Sequence, residues 1–197
     1  ISRLIMKYLF IFIFFFFSFQ KKIFASNILN EFLIAKPHMP DFRFKETVIL
    51  MLSHDNEGAA GLVINKPIKK MTIDKLFEES NIVPPKKISK KEITLYWGGP
   101  VKPEHIFFIH SSDYKSNNFI TSNKNFTITR ESKVLYDIAK NKGPKEYIIL
   151  SGIAVWKPGQ LDSEIMRNDW DKKLNNYTPL FDNGKEMWSH FNSSRDI

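Results

Sequence analysis

Residues 47–67, TVILMLSHDNEGAAGLVINKP, decide the fold. Thr47 to Leu52 is rich in β-branched residues and apolar on both faces, which predicts a central strand covered on both sides. Ser53-His54-Asp55-Asn56-Glu57-Gly58 gathers turn formers, and Ala60 to Ile64 returns as a second strand, so a hairpin is expected. The small residues Gly58, Ala59, Ala60 and Gly61 suit a turn whose arms pack closely. They do not form a phosphate loop. The stretch lacks a Gly-Lys-Ser/Thr end, and its spacing fails the dinucleotide fingerprint. Asn65-Lys66-Pro67 closes the second strand, with Asn65 expected to bond local backbone.

Outward from this hairpin, strands and short helices alternate. Upstream, Phe32 to Ala35 is a short apolar strand ended by the two prolines of Lys36-Pro37-His38-Met39-Pro40. Downstream, Thr72 caps a short helix with Ile73, Leu76 and Phe77 at helical spacing and Asp74 in its positive first turn. Asn81 to Lys91 is a loop holding Pro84-Pro85 and four lysines, Lys86, Lys87, Lys90 and Lys91. Strands follow at Ile93 to Trp97, His105 to His110 and Phe126 to Thr129. Ser132 to Lys140 is an amphipathic helix buried through Val134, Leu135, Ile138 and Ala139, and Gly143-Pro144 stops it. Tyr147 to Leu150 is a buried strand, and Pro158-Gly159 turns into a helix from Gln160 to Trp170. Asn183 with Glu186 reads as a capping box for a last helix carrying Met187, Trp188 and Phe191. This interleaving predicts an α+β fold with a mixed or antiparallel sheet rather than a doubly wound parallel one.

Composition narrows the function classes. There is no cysteine, which excludes disulfides, thiolate catalysis and Cys-ligated zinc. The formal net charge is +8, of which Arg3, Lys7, Lys21 and Lys22 supply four, leaving +4 on residues 26–197. In that body arginine is confined to Arg43, Arg130, Arg167 and Arg195. Base edges are read best by bidentate arginine, so direct DNA binding is not expected.

Residues 1–25 read as a secretory signal peptide: Met6-Lys7, an apolar run at residues 8–19, then Gln20 to Ala25. The run spans roughly 18 Å as a helix, short of the ~30 Å hydrocarbon core. An uncleaved membrane anchor through residues 8–19 is the alternative. Residues 26–197 suit a single domain. A genuine leader implies a periplasmic or secreted protein, and otherwise the chain is cytoplasmic.

Residues weighed as a ligand or partner pocket are His54, Asn65, Trp97, His110, Trp156, Gln160 and Glu164. His54 and His110 each end an apolar strand with Asp55 and Asp113 nearby, a pattern open to acid–base or metal chemistry. No firm third ligand accompanies them, so neither a metal nor a catalytic set is assigned, and no cofactor is expected. Trp97-Gly98-Gly99-Pro100 predicts a tight turn beside a buried indole. Gln160 and Glu164 share one helix face, with Asp162 serving the helix dipole.

Several motifs taken in order resemble the YqgE/AlgH family of bacterial proteins. They are Phe32-Leu33-Ile34-Ala35, Asp41-x-Arg43-Phe44, the His54 turn, Gly58 to Pro67, Trp97-Gly98-Gly99-Pro100-Val101, Trp156-x-Pro158-Gly159-Gln160-Leu161 and Asn168-x-Trp170. Lys66, Val155 and Asp162 depart from the arginine, glycine and glutamate that are common in the family. The resemblance implies a compact α+β domain whose bifurcated sheet partly closes into a small barrel flanked by helices. It also carries a link to transcriptional regulation and typically cytoplasmic members, but no established catalytic residue. The expected activity is therefore a non-catalytic binding or regulatory domain, acting on an unidentified protein or small ligand. A cytoplasmic regulator of transcription and a hydrolytic or metal-dependent enzyme using His54 and His110 are the alternatives.

Overall fold

The computed structural model describes residues 31–174, 180–181 and 186–193. The leader and Asn183 lie outside the described residues. Among the described residues ten strands and four α-helices follow one another as β1 (Glu31–Ala35), β2 (Val48–Asp55), β3 (Gly58–Val63), β4 (Pro67–Thr72), α1 (Ile73–Glu79), β5 (Glu92–Trp97), β6 (Val101–Ser111), β7 (Thr121–Ser122), β8 (Phe126–Thr129), α2 (Ser132–Ala139), β9 (Tyr147–Trp156), α3 (Gln160–Met166), β10 (Trp170–Leu174) and α4 (Met187–Ser193). Among the described residues no helix is long and apolar enough to cross a membrane.

The fold is α+β, and its sheet is mixed. The strands run in the order β10-β1-β2-β3-β9-β6-β8-β7, and β5 adds β4 as a side branch. All pairings are antiparallel except that of β5 with β9. The predicted hairpin is β2–β3, paired from Ile49 opposite Val63 to Asp55 opposite Gly58 with a one-residue bulge between Met51 and Ser53.

The bifurcation sits on β9. One edge of this strand faces β6 from Tyr147 to Ile153. The other edge takes β5 over Ile149–Ser151 and then β3 over Ala154–Trp156. The expected partial closure into a barrel is not found among the described residues. The strand path is open, running from β10 at one end to β7 at the other, and the β4 branch pairs only with β5.

Alternation along the strands builds a core on each face. Phe32, Ile34, Leu50, Leu62, Phe107, Ile109 and Leu150 point to one face, where Met187, Trp188 and Phe191 of α4 pack. The opposite face is covered in two parts. α1 and α2 lie over Leu95, Phe108 and Ile149, burying Ile73, Leu76, Phe77, Val134, Leu135 and Ile138. Leu161 of α3 lies with Leu33, Ile49, Met51, Val63, Ala154 and Trp156.

Three local readings change. Residues 67–72 form strand β4, which lacks a one-sided apolar pattern because it is an exposed outer strand. Thr72 holds the N-cap position of α1 without a capping side-chain hydrogen bond. The helix expected to reach Trp170 stops at Met166, because Asn168 is left-handed at φ 65° and the Asp169 N–H bonds back to the Glu164 carbonyl at 3.0 Å. That reversal frees Trp170 to pair with Ala35 as the start of β10.

Candidate functional site

The site is built where β9 leaves the sheet. Gly98 follows β5 and bridges the fork: its N–H donates to the Ser151 carbonyl at 2.8 Å, and its carbonyl accepts from Val63 N–H at 2.9 Å. A Cβ on Gly98 would lie 2.3 Å from the Gly152 carbonyl oxygen, and one on Gly152 would lie 2.3 Å from that of Gly99. Gly152 also has φ +78°, a region costly for any L side chain. The Trp97-Gly98-Gly99 stretch is therefore a backbone crossing and not the tight turn its glycines predicted. Its indole is half-buried.

Beyond the crossing, aromatic rings gather on one side chain. Phe44 lies 5.5 Å from Trp97, 6.3 Å from Trp156 and 5.8 Å from Trp170, centre to centre. Phe44 belongs to a 3-10 turn, Phe42–Phe44, braced by the Arg43 guanidinium forked onto Asp41, with Nε at 3.0 Å from Oδ1. That hydrogen bonding holds the Asp41 carboxyl below its ordinary value. Asn65 reaches the loop that follows the turn. Its Oδ1 accepts from Val48 N–H at 2.8 Å and its Nδ2 donates to the Glu46 carbonyl at 2.8 Å.

Glu164 is the polar hub. Its Oε2 accepts both indole N–H groups, from Trp156 at 2.9 Å and Trp170 at 2.8 Å. Its Oε1 accepts from Gln160 Nε2 at 3.0 Å, and Gln160 Oε1 in turn accepts from Lys157 N–H at 3.1 Å. The two indoles are 4% and 3% exposed, so without Glu164 both donors would be buried and unpaired. At the rim His54 Nε2 lies 3.0 Å from Oδ1 of Asp162, which is 56% exposed.

The structure thus brings Trp97, Trp156, Gln160, Glu164 and His54 to one end of the sheet, with Asn65 supporting the loop beside them. His110 is elsewhere. His54 stands opposite Ala59, which pairs with Trp156, whereas His110 pairs with Tyr147. These are the two ends of the ten-residue β9, about 30 Å apart at ~3.3 Å per residue. The expectation of a joint His54–His110 acid–base or metal site is overturned by that separation. His110 is fully buried, with Nδ1 at 2.9 Å from the Ser111 carbonyl and Nε2 at 3.0 Å from Ser116 Oγ. Among the described residues no group of three His, Asp or Glu side chains is arranged to hold a metal ion.

Sequence reasoning missed Phe44, Trp170 and the His54–Asp162 contact. The first two sat in the Asp41-x-Arg43-Phe44 and Asn168-x-Trp170 motifs. Trp170 was read as the end of a helix, so its indole was not aimed at Glu164.

The sequence model of the AlgH-like family matches residues 32–196. A UPF0301 protein of Coxiella burnetii is 37% identical over 172 residues, covering 83% of this chain and 87% of that protein. Another from Rickettsia akari is 35% identical over 175 residues, covering 85% and 87%. The solution structure of the AlgH protein from Pseudomonas aeruginosa superposes with a TM-score of 0.71 at 31% identity, covering 87% of this chain and 91% of that one. A crystal structure from Corynebacterium diphtheriae shares the fold, with a TM-score of 0.56 at 20% identity over 76% of this chain and 77% of that one. With its motifs, its forked sheet and these relatives in agreement, the chain belongs to the AlgH-like family.

Proposed function

We propose that this is a binding or regulatory domain without a reaction centre of its own, and that it recognises its partner through the rim of the aromatic cluster. The observation that carries this reading is the hydrogen bonding of Glu164, whose two oxygens already serve Trp156, Trp170 and Gln160. A carboxylate engaged in this way holds rings in place, and its acceptor positions are taken up inside the protein. What the rim presents outward is a half-buried indole at Trp97, the His54–Asp162 pair, and the apolar side chains of Phe42 and Met166, 79% and 80% exposed. Aromatic and apolar surface edged by a few polar groups is the chemistry of recognition.

Tryptophan fluorescence and amide chemical-shift mapping, with nucleotides, inorganic phosphate, sugars and short peptides as probes, test this. Saturable changes centred on Trp97, His54 and Asp162 are expected. Alongside, p-nitrophenyl esters and phosphates are offered as substrates. Turnover that His54→Ala or Asp162→Ala abolishes in a folded protein would sink the reading and restore an enzyme. Readout of a DNA groove by a helix would need one that is exposed and long enough to lie in it. Among the described residues the longest helix, α2, has eight residues and buries Val134, Leu135, Ile138 and Ala139, so helix-in-groove reading is not the use favoured here.

A further inference from the structure

The opposite end of β9 carries a different surface. There the loop after α1 folds onto α2: Tyr136 Oη donates to the Val83 carbonyl at 2.6 Å, and Ser89 N–H donates to the Ala139 carbonyl at 3.1 Å. The Lys91 carbonyl accepts from Ile73 N–H at 2.9 Å, and Lys91 Nζ lies 5.1 Å from the centre of the Tyr147 ring. The parallel register of Leu95 with Ile149, continued backward, brings Lys91 level with Lys145. Lys86, Lys87, Lys90 and Lys91 from the loop therefore share one end of the molecule with Lys140, Lys142 and Lys145 from the α2–β9 connection.

All of these lysines are exposed. Among the described residues none of their ammonium groups has a carboxylate oxygen within 4.0 Å, although the Lys145 backbone N–H donates to Asp113 Oδ2 at 3.3 Å, whereas Lys36, Lys69, Lys70, Lys133 and Lys172 elsewhere are ion-paired. The acidic groups that Lys90, Lys140 and Lys145 influence at longer range are Asp74, Asp137 and Asp113. In the same loop Val83 is 78% exposed, next to the exposed Pro84 and just ahead of Lys86-Lys87.

An uncovered apolar tip on the same end of the molecule as ammonium groups that have no carboxylate partner matches the interfacial region of a bilayer. The tip enters the headgroup boundary and the lysines face anionic headgroups. Nucleic acid matches less well. The cluster contains no arginine for bidentate readout, Lys91 lies over the Tyr147 ring, and the Tyr136 ring packs 5.2 Å from that of Phe77, so stacking faces for bases are taken up. We propose that the Val83–Lys91 loop and the Lys140–Lys145 connection form a peripheral docking surface for anionic phospholipid bilayers. This stands independently of the aromatic rim.

The test is flotation of the full chain with phosphatidylcholine vesicles, with and without phosphatidylglycerol. Residues 8–19 can engage either bilayer, so the readout is the enhancement that phosphatidylglycerol gives. The triple variant Lys86→Gln, Lys87→Gln, Lys90→Gln is expected to lose that enhancement, on the order of 100-fold at about 1 kcal/mol per lysine. Val83→Ser is expected to weaken binding to the phosphatidylglycerol vesicles several-fold. A control with the same loss of charge, Lys45→Gln, Lys102→Gln, Lys172→Gln, is expected to keep the enhancement, and thermal unfolding checks that every variant is folded. An enhancement unchanged in the triple lysine variant, or lost equally in the control, overturns the proposal. So does tip-dependent binding of duplex DNA without any phosphatidylglycerol enhancement, which would assign the surface to nucleic acid.

Discussion

The two ends of β9 use polar side chains in opposite ways. At the Trp156 end the hydrogen-bonding groups are consumed internally: one carboxylate serves two indoles and a glutamine, and a buried asparagine bridges two backbone groups. At the Tyr147 end the lysines are left to solvent, and the loop bearing them is held by bonds from Tyr136 and Ser89. The difference separates residues that shape a surface from residues that are the surface. Substitution at the first end should therefore register in stability, and at the second in association.

The largest effect tests the fork on which both ends depend. Gly152→Ala combines a left-handed φ with a Cβ driven against the Gly99 carbonyl, and is expected to cost about 4 kcal/mol or more. Urea denaturation measures it, and a loss under 1 kcal/mol would show that the crossing tolerates side chains. Next, Glu164→Ala orphans two buried indole donors and is expected to cost about 3 kcal/mol, with a change in tryptophan emission. Glu164→Gln keeps an acceptor for the indoles and should cost less. Equal losses would mean that the carboxylate charge, and not its geometry, holds the cluster.

Asp137 gives a smaller and pH-dependent effect. Burial alone would raise its carboxyl, but hydrogen bonds from Lys133 and Tyr114 outweigh it and hold the group below its ordinary value. A carboxyl depressed in the folded state contributes stability above its unfolded value of about 4 and loses it as pH falls through the lower folded value. Asp137→Asn is thus expected to cost about 1 kcal/mol at neutral pH and to converge with the parent protein in acid. Denaturation midpoints across the acid range check it. The smallest changes sharpen the contrast: His54→Ala removes one contact to the exposed Asp162 carboxylate and should cost under about 1 kcal/mol. The triple lysine-to-glutamine variant should stay within about 0.5 kcal/mol of the parent.

Most of the strand framework was legible because burial writes a period into sequence. Residues 47–64 alternate turn formers with apolar runs and became the β2–β3 hairpin, and α2 buries the four residues that its spacing predicted. β4 was not legible, since an outer strand of Pro67-Ile68-Lys69-Lys70 has no apolar face to declare it. Half of the aromatic cluster was legible too: of its four rings Trp97 and Trp156 stood among the candidate residues, and Gln160 and Glu164 lie on one helix face as their spacing predicted. The partnership of Trp170 with Glu164 was hidden behind a chain reversal that depends on one left-handed asparagine. The separation of His54 from His110 was also beyond reach, because equivalent places at strand ends do not say which end of the sheet each strand finishes on.

The fork also governs how the molecule comes apart. Around Ser151–Ala154 the backbone of β9 is bonded to β6, to β5 through Gly98, and to β3, so its amides cannot open by fraying a single neighbour. Hydrogen exchange there should proceed only through global unfolding, while the outermost strands, β7 and β4, exchange by local opening. A segment with three sets of partners is the last to let go, which makes β9 the clock by which the lifetime of the native state is read.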